Sequence, residues 1–468
     1  MTMTEGGIGS RMLRKEDAKL VTGEAKFIDD IHVAGQLWMG MVRSPMAHAR
    51  IAAIDTSAAH EMPGVHAVYT GADLEAMELW AAPLPCAWPV TDDMLNPPHH
   101  PVAPEVAHHV GDIVAVVLAE SRYQAADAIE HVVVDYEPLA PVASLEQAVS
   151  DNVHAHTELG TNRAFTWAID ADPDATQAAF DAAAHTVSAN FIQQRLIPAA
   201  MEPRGVLAVP SPHGGELTLY SATQVPHVLR VMAAATTGLP EQKIRVVAPA
   251  VGGGFGAKLN INPDEILALA LANKLGRPVR WTEGRSEAAG STHQGRGQLQ
   301  HMELAADERG VLTAVRVNID ADMGAYMMLI TPGVPLLGSF LYHGVYATPN
   351  FSFTCNGWFT NMTPTDAYRG AGRPEASYAI ERAMDLLALE VGVGPDEIRR
   401  RNYINGGDAF ENWESPAGLV FDSGHYTPNL DKALELAGYD ELREEQARRR
   451  AAGDHVQLGI GLCTYVEI

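Results

Sequence analysis

The sequence predicts a mixed fold of α+β and α/β character: a small N-terminal α/β domain, then a larger and incomplete α/β domain. Three observations lead there. Apolar runs of strand length, such as "DIVAVVLAE" (112–120), alternate with helical segments that carry readable caps. The Pro-containing stretch "YEPLAPVAS" near residue 140 reads as a linker. Two glycine-rich turns, "VGGGFGAK" (251–258) and "AYRGAGRPEA" (367–376), each stand ahead of a helix. The expected organisation is an N-terminal arm at 1–18, a first domain at 19–140, a second at 155–400 and the start of a third unit at 401–468.

In the first domain "QLWMGMVRS", "GVHAVYT" and the apolar run "DIVAVVLAE" read as strands. Ser121 and Gln124 have capping-box spacing at the start of the helix "SRYQAADAIEHV". "VVVDYEPL" then returns as a strand, giving the spacing of a β-α-β unit. In the second domain "HTVSANFIQQRL" alternates like a strand, and "GELTLYSATQ" is a strand ending at polar Gln224. A helix from Pro226 stops at Gly238, and "KIRVVAP" is the strand before the glycine-rich loop. Asn262, Pro263 and Glu265 occupy the cap, first and third positions of a helix whose run "EILALALANKL" is apolar almost all round, so it is expected to be buried. Gly276 ends it and "PVRWTEG" resumes as strand. A long helix begins at Pro374 and stops at Gly392; "PDEIRRRNY" and "DELREEQARRRAAGDH" are shorter, charged helices. The closing "VQLGIGLCTYVEI" has strand composition with no turn after it, which reads as a chain cut short or one half of a split polypeptide.

Composition narrows the function. The 468 residues carry a net charge of -25 and no basic block, so nucleic acid and anionic membrane surfaces are poor partners. There is no apolar run long enough for a membrane span and no leader-like h-region, which points to a cytoplasmic setting. Cys86, Cys355 and Cys463 have neither disulfide, zinc nor iron–sulfur spacing. Any redox chemistry here must therefore pass its electrons to another polypeptide. The pairs His99-His100 and His108-His109 lie in a Pro-rich loop, and adjacent side chains point to opposite faces, a poor grip for one ion.

The glycine-rich loop admits several readings. A phosphate loop needs a hydroxyl after its lysine; here Leu259 follows Lys258. Gly252, Gly254 and Ala257 fit a loose dinucleotide fingerprint, with Glu283 as the acidic residue for a ribose. "LNINP", however, separates those glycines from the capped helix. A tight corner with no ligand is the plainest alternative.

Three loops taken in order, "YSATQVPHVL", "VGGGFGAK" and "AYRGAGRPEA", resemble the molybdenum-binding subunit of the xanthine dehydrogenase and aldehyde oxidase family, in the form of carbon monoxide dehydrogenase-like large chains. The resemblance covers essentially the whole chain and makes the first domain similar to that family's hammerhead domain, the second a first molybdopterin-binding domain and 401–468 the start of a second. It implies a hydroxylase that oxidises an aldehyde or N-heterocycle with oxygen from water, the electrons passing to FeS and FAD subunits. By motif, Gln224 is placed at a molybdenum oxygen; Gly253, Gly254, Phe255 and Gly256 line the cofactor; Arg369 supplies positive charge beside the metal. All are environment rather than direct side-chain ligands. Each retains an ordinary alternative: Gln224 as a helix cap, Phe255 as core packing, Arg369 in an ion pair.

Departures sharpen the expectation. Gly370 stands where carbon monoxide dehydrogenases carry a copper-binding cysteine, so neither copper nor carbon monoxide oxidation is expected. Leu259 and Ala371 replace the acidic and ring-stacking residues of purine-oxidising members and imply an apolar, roomy substrate pocket. Asp366 stands where glycine is commoner. The family's general-base glutamate belongs to a late Gly-Glu motif that this sequence lacks, and Glu467 is a poor substitute. The expected partners are a second molybdopterin-binding polypeptide or missing C-terminal half, the FeS and FAD subunits, and a small-molecule substrate. The pterin is expected as molybdopterin cytosine dinucleotide. The rival expectation is a non-catalytic scaffold, or a truncated chain unable to hold the cofactor.

Overall fold

The computed structural model describes residues 10, 12–170, 172–407 and 411–467; much of the arm expected at 1–18 lies outside them. Ile113–Ala119 is buried along its whole length, which only a central strand satisfies. It pairs antiparallel with Leu37–Arg43 on one side and Val65–Thr70 on the other. Leu37–Arg43 then pairs parallel with Val279–Thr282. One seven-stranded sheet therefore runs from the N-terminal segment into the later chain, ending with Gly205–Pro210, Leu217–Ser221 and, at its edge, Ile244–Val247. The helix Pro263–Leu275 is buried over nine residues, and its apolar side chains share a core with Leu37, Val116 and Leu118. A second, five-stranded sheet is ordered Arg163–Asp170, Phe351–Phe359, Leu312–Gly324, Gln298–Ala306 and His185–Gln193. Arg373–Val391 packs across its far strands through Ala376, Ile380 and Leu387.

Two expectations are corrected. The helix Arg122–Ile129 forms, capped by Ser121, but the strand after it does not complete a parallel β-α-β pair. Val133–Pro138 pairs antiparallel with Ala49–Asp55 in a separate three-stranded sheet. It is exposed along most of its length, in keeping with this small sheet rather than the buried one. The expected C-terminal strand is also absent among the described residues: beyond the helix Tyr439–Ala452 the chain lies extended over Arg373–Val391. Side chains take its backbone groups, Arg399 Nη2 donating to Leu462 O (3.0 Å) and Thr464 N to Glu381 Oε2 (3.0 Å).

Imidazoles fill the seam between the two sheets. His108 stacks on His156 with ring centroids 4.1 Å apart, and His99 stacks on Tyr326 at 4.2 Å. Burial, reinforced by neighbouring histidines, pushes His99 and His108 down to about 3. Unfolded imidazoles take up protons near pH 6.5, whereas these folded rings stay neutral until about pH 3, so their contribution to stability is lost as pH falls between those values. His99→Phe keeps a ring against Tyr326 and removes one such titration. Its urea-unfolding free energy is expected to fall less steeply between pH 6 and 4 than the parent's, by at most about 1.4 kcal/mol per pH unit. Equal slopes would remove the assignment.

Candidate functional site

Leu217–Ser221 and Ile244–Val247 are adjacent parallel strands, and the loops carrying Gln224 and the glycine-rich run leave their C-terminal ends. That end of an open sheet is where ligands gather in α/β folds. The third loop, 366–372, arrives from the other sheet and leads into Arg373–Val391. The three loops converge. Gln224 Oε1 accepts from the amides of Gly256 (3.0 Å) and Lys258 (3.3 Å), while its own amide donates to Lys258 O (2.8 Å). Arg369 N donates to Phe255 O (3.0 Å). Arg296 supports the third loop from beneath, donating to Tyr368 O and Arg369 O and pairing with buried Glu375 at 3.1 Å. Burial raises the Glu375 carboxyl, and Arg296 draws it back.

Contact at this junction is too close for side chains. A β-carbon on Gly254 would lie 2.2 Å from Gln224 Oε1, and one on Gly256 (φ +101°) 2.0 Å from Ala367 O. Gly253 also has positive φ, and so does Phe255 at +55°, a conformation costing roughly 1–2 kcal/mol for a residue with a β-carbon. Such strain persists only where surrounding contacts over-determine it. At the crest, the amides of Gly253, Gly254 and Phe255 donate to nothing among the described residues. Three adjacent N–H groups of this kind suit oxygen acceptors.

The structure places the expected site residues as follows. Gln224 is exposed and does not cap the helix behind it, whose cap is Val225 without side-chain help. Phe255 is 43% exposed, so core packing does not explain it. Arg369 is exposed and forms no ion pair among the described residues; its guanidinium carbon lies 5.9 Å from the Phe255 ring centroid. Leu259 and Ala371 stand differently. Leu259 is half-buried against the core around Pro263–Leu275, and Ala371 (φ +43°) is buried with its amide on Tyr368 O. Glu283 does not stand ready for a ribose: it is buried and takes two bonds from the Arg204 guanidinium.

Sequence reasoning missed the network behind the loops. Asp366 is fully buried and accepts from Ala367 N (2.5 Å), Ile330 N (3.0 Å) and Thr331 Oγ1 (3.2 Å). Burial raises its carboxyl, and His293 opposes that shift. His293 Nε2 lies 3.0 Å from Ala367 O, and Asn260 Nδ2 lies 3.0 Å from His293 Nδ1. A donor at Nε2 and an acceptor at Nδ1 satisfy both contacts, so the ring ties the second loop to the third. Departure from glycine at 366 was a visible signal; nothing in the pattern around His293 was.

Gly256→Ala tests the convergence. Its methyl cannot coexist with Ala367 O, so a destabilisation of about 1–3 kcal/mol is expected by chemical denaturation, with most increased amide exchange in 252–259 and 366–372. A variant unchanged on both measures would contradict the packing described.

Comparison with known proteins identifies the domains. Residues 155–403 match the molybdopterin cofactor-binding domain, and residues 22–140 the aldehyde oxidase and xanthine dehydrogenase a/b hammerhead domain. The carbon monoxide dehydrogenase large chain of Hydrogenophaga pseudoflava is 38% identical over 99% of this chain and 58% of its own length. The nicotine 6-hydroxylase large subunit of Paenarthrobacter nicotinovorans is 35% identical over 99% and 56%. The crystal structure of quinoline 2-oxidoreductase from Pseudomonas putida 86 superposes with a TM-score of 0.89 at 34% identity, over 95% of this chain and 56% of that one. The chain thus spans little more than half the length of these relatives. With a hammerhead domain, a molybdopterin-binding domain and these relatives, the chain belongs to the molybdenum-binding subunits of the xanthine dehydrogenase and aldehyde oxidase family.

Proposed function

We propose that the chain forms the metal-facing part of a molybdenum hydroxylase that oxidises an aldehyde or an N-heterocycle with oxygen from water. The observation that carries this reading is the convergence of Gln224, Phe255 and Arg369 around a crest of three amides with no acceptor among the described residues. Gly253, Gly254 and Phe255 present backbone donors to a molybdopterin's oxygen ligands, and Gly256, whose amide is held by Gln224 Oε1, lines the loop beside them; the cytosine dinucleotide form is the one we favour. Gln224 is exposed, its side-chain oxygen held by the Gly256 and Lys258 amides. When bound, the molybdenum supplies Lewis-acid polarisation and a sink for electrons. The chain's residues do the rest of the work at this face. Arg369 holds positive charge for oxygen charge that develops in the substrate. Phe255, fixed in its left-handed conformation, covers one side of the reacting position and keeps water from it. Leu259 and Ala371 remain our assignments for shaping the substrate pocket, acting from behind the loops.

All three side chains stand exposed, so residues outside this chain close the opposite side. We assign to them the general base and the remaining pterin contacts, and to separate FeS and FAD subunits the removal of electrons. Glu467 pairs with Arg373 at 2.7 Å and is not our base. A cytoplasmic setting fits this assembly, and no helix among the described residues is long and apolar enough to cross a membrane. We also propose that copper has no place here. Gly370 has φ +99°, and a β-carbon there would meet Pro374 Cγ at 2.3 Å, so this backbone leaves no room for a thiolate that Cu(I) would need. Nicotine 6-hydroxylase and quinoline 2-oxidoreductase, both named for N-heterocycles, support the substrate class.

The test is co-expression with the neighbouring reading frames, metal analysis, and dye-linked oxidation of aldehydes and N-heterocycles. Stoichiometric molybdenum without copper, and no turnover of carbon monoxide, are expected. Arg369→Met should lower kcat by about a hundredfold, the magnitude of losing one oxyanion-stabilising group, with molybdenum retained. An assembly that takes up no molybdenum would sink the reading and favour a non-catalytic scaffold.

A further inference from the structure

A carboxylate that none of the three motifs contains holds both ends of the glycine-rich loop. Glu202 precedes Gly205–Pro210 and reaches Gly252 twice: its amide donates to Gly252 O (3.1 Å), and its Oε2 accepts from Gly252 N (2.7 Å). The same oxygen accepts from Lys258 Nζ at 2.7 Å. The loop thus begins and ends on one atom. Between those ends lie the three positive-φ residues Gly253, Phe255 and Gly256. A β-carbon on Gly252 would sit 2.5 Å from Glu202 Cβ, so the approach leaves room for glycine alone.

Charge makes the clasp obligatory. The Lys258 side chain is 1% exposed, and Glu202 is its one ion-pair partner among the described residues. Burial pulls the ammonium's pKa down and Glu202 holds it up. The other carboxylate oxygen, Oε1, is buried with no hydrogen-bond partner among the described residues. Each group therefore depends on the other, since a buried charge left without its partner is strongly destabilising. Lys258 also carries the backbone groups that seat Gln224, accepting from its amide and donating to its side chain.

We propose that Glu202, through Lys258 and Gly252, is the positioning residue that fixes Phe255 and Gln224 relative to each other; its consequence for catalysis rests on the function proposed above. Among the described residues Glu202 makes no hydrogen bond to Gln224, Phe255 or Arg369, so it acts on them through the loop.

Hydrogen–deuterium exchange on the full chain, without cofactor, reads the clasp directly. Glu202→Ala should raise exchange in 250–259 by about tenfold or more, the scale of losing a charge-assisted hydrogen bond, while the core strand 113–119 stays protected. Glu202→Gln, which keeps an acceptor for Gly252 N, should recover protection at 250–254. Lys258→Met should release 255–259 and leave the Gly252 end protected, a signature that general destabilisation does not produce. Unchanged exchange in 250–259 in both Glu202→Ala and Lys258→Met would overturn the proposal. So would loss spread evenly over 113–119 and the loop in all three variants. In the assembled enzyme, Glu202→Gln should lower kcat with KM little changed. A wild-type assembly lacking molybdenum would refute the proposed function while the exchange result still decided the clasp.

Discussion

The carbonyl oxygen of Ala367 occupies the place where a β-carbon at position 256 would stand, and the site depends on that single close approach. It brings a loop from the edge of the seven-stranded sheet against a loop that precedes a helix on the other sheet. Once the two touch, Phe255 O is within reach of the Arg369 amide, and the Phe255 ring and Arg369 guanidinium face the same side. The cost appears as positive φ at Gly253, Phe255, Gly256, Gly370, Ala371 and Gly372. Residues with β-carbons at two of those positions mark where conformation is imposed by surroundings rather than chosen locally.

What imposes it is largely charge held out of water. Arg204 lies behind the loops between Asp264 (2.5 Å) and Glu283 (3.0 Å), joining the central strands to the buried helix Pro263–Leu275. Glu265 beside it takes a bond from Ser221 Oγ at 2.6 Å, and burial together with Asp264 pushes its carboxyl up to about 7. These groups are poor sources of net stability, because desolvation offsets much of their attraction. Their value lies in geometry: each satisfied pair has one acceptable arrangement, and the loops inherit it.

Much of this was legible in the sequence where local chemistry and pattern agree. The helix at Pro263 announced itself through Asn262 and Glu265: Glu265 Oε2 accepts from the Asn262 amide (3.0 Å), while the Asn262 side chain, expected as the cap, donates to Asn260 O (3.3 Å) instead. Gly238, Gly276 and Gly392 end their helices in the left-handed conformation that favours glycine. Pairing was less legible. Val133–Pro138 reads as a strand, but nothing local says that it leaves the Ile113–Ala119 sheet for Ala49–Asp55. Likewise "VQLGIGLCTYVEI" has strand composition, yet side chains of Arg399 and Glu381 take its backbone groups. In the site, Phe255 and Arg369 were readable because glycines stand beside them, and Gln224 because it is a polar residue between a strand and Pro226. Of their supports, Glu202 lies 50 positions from Gly252, His293 lies 74 from Ala367 and Asp366 lies 36 from Ile330, and only the fold brings these partners near.

Gln224, Phe255 and Arg369 are proposed to surround a molybdenum centre. Anomalous diffraction at the molybdenum absorption edge, from crystals of the assembled enzyme, tests it most directly. One anomalous peak per chain is expected, on the exposed side of the glycine-rich loop and flanked by those three side chains. A peak elsewhere, or none in an assembly active in substrate oxidation, would contradict it.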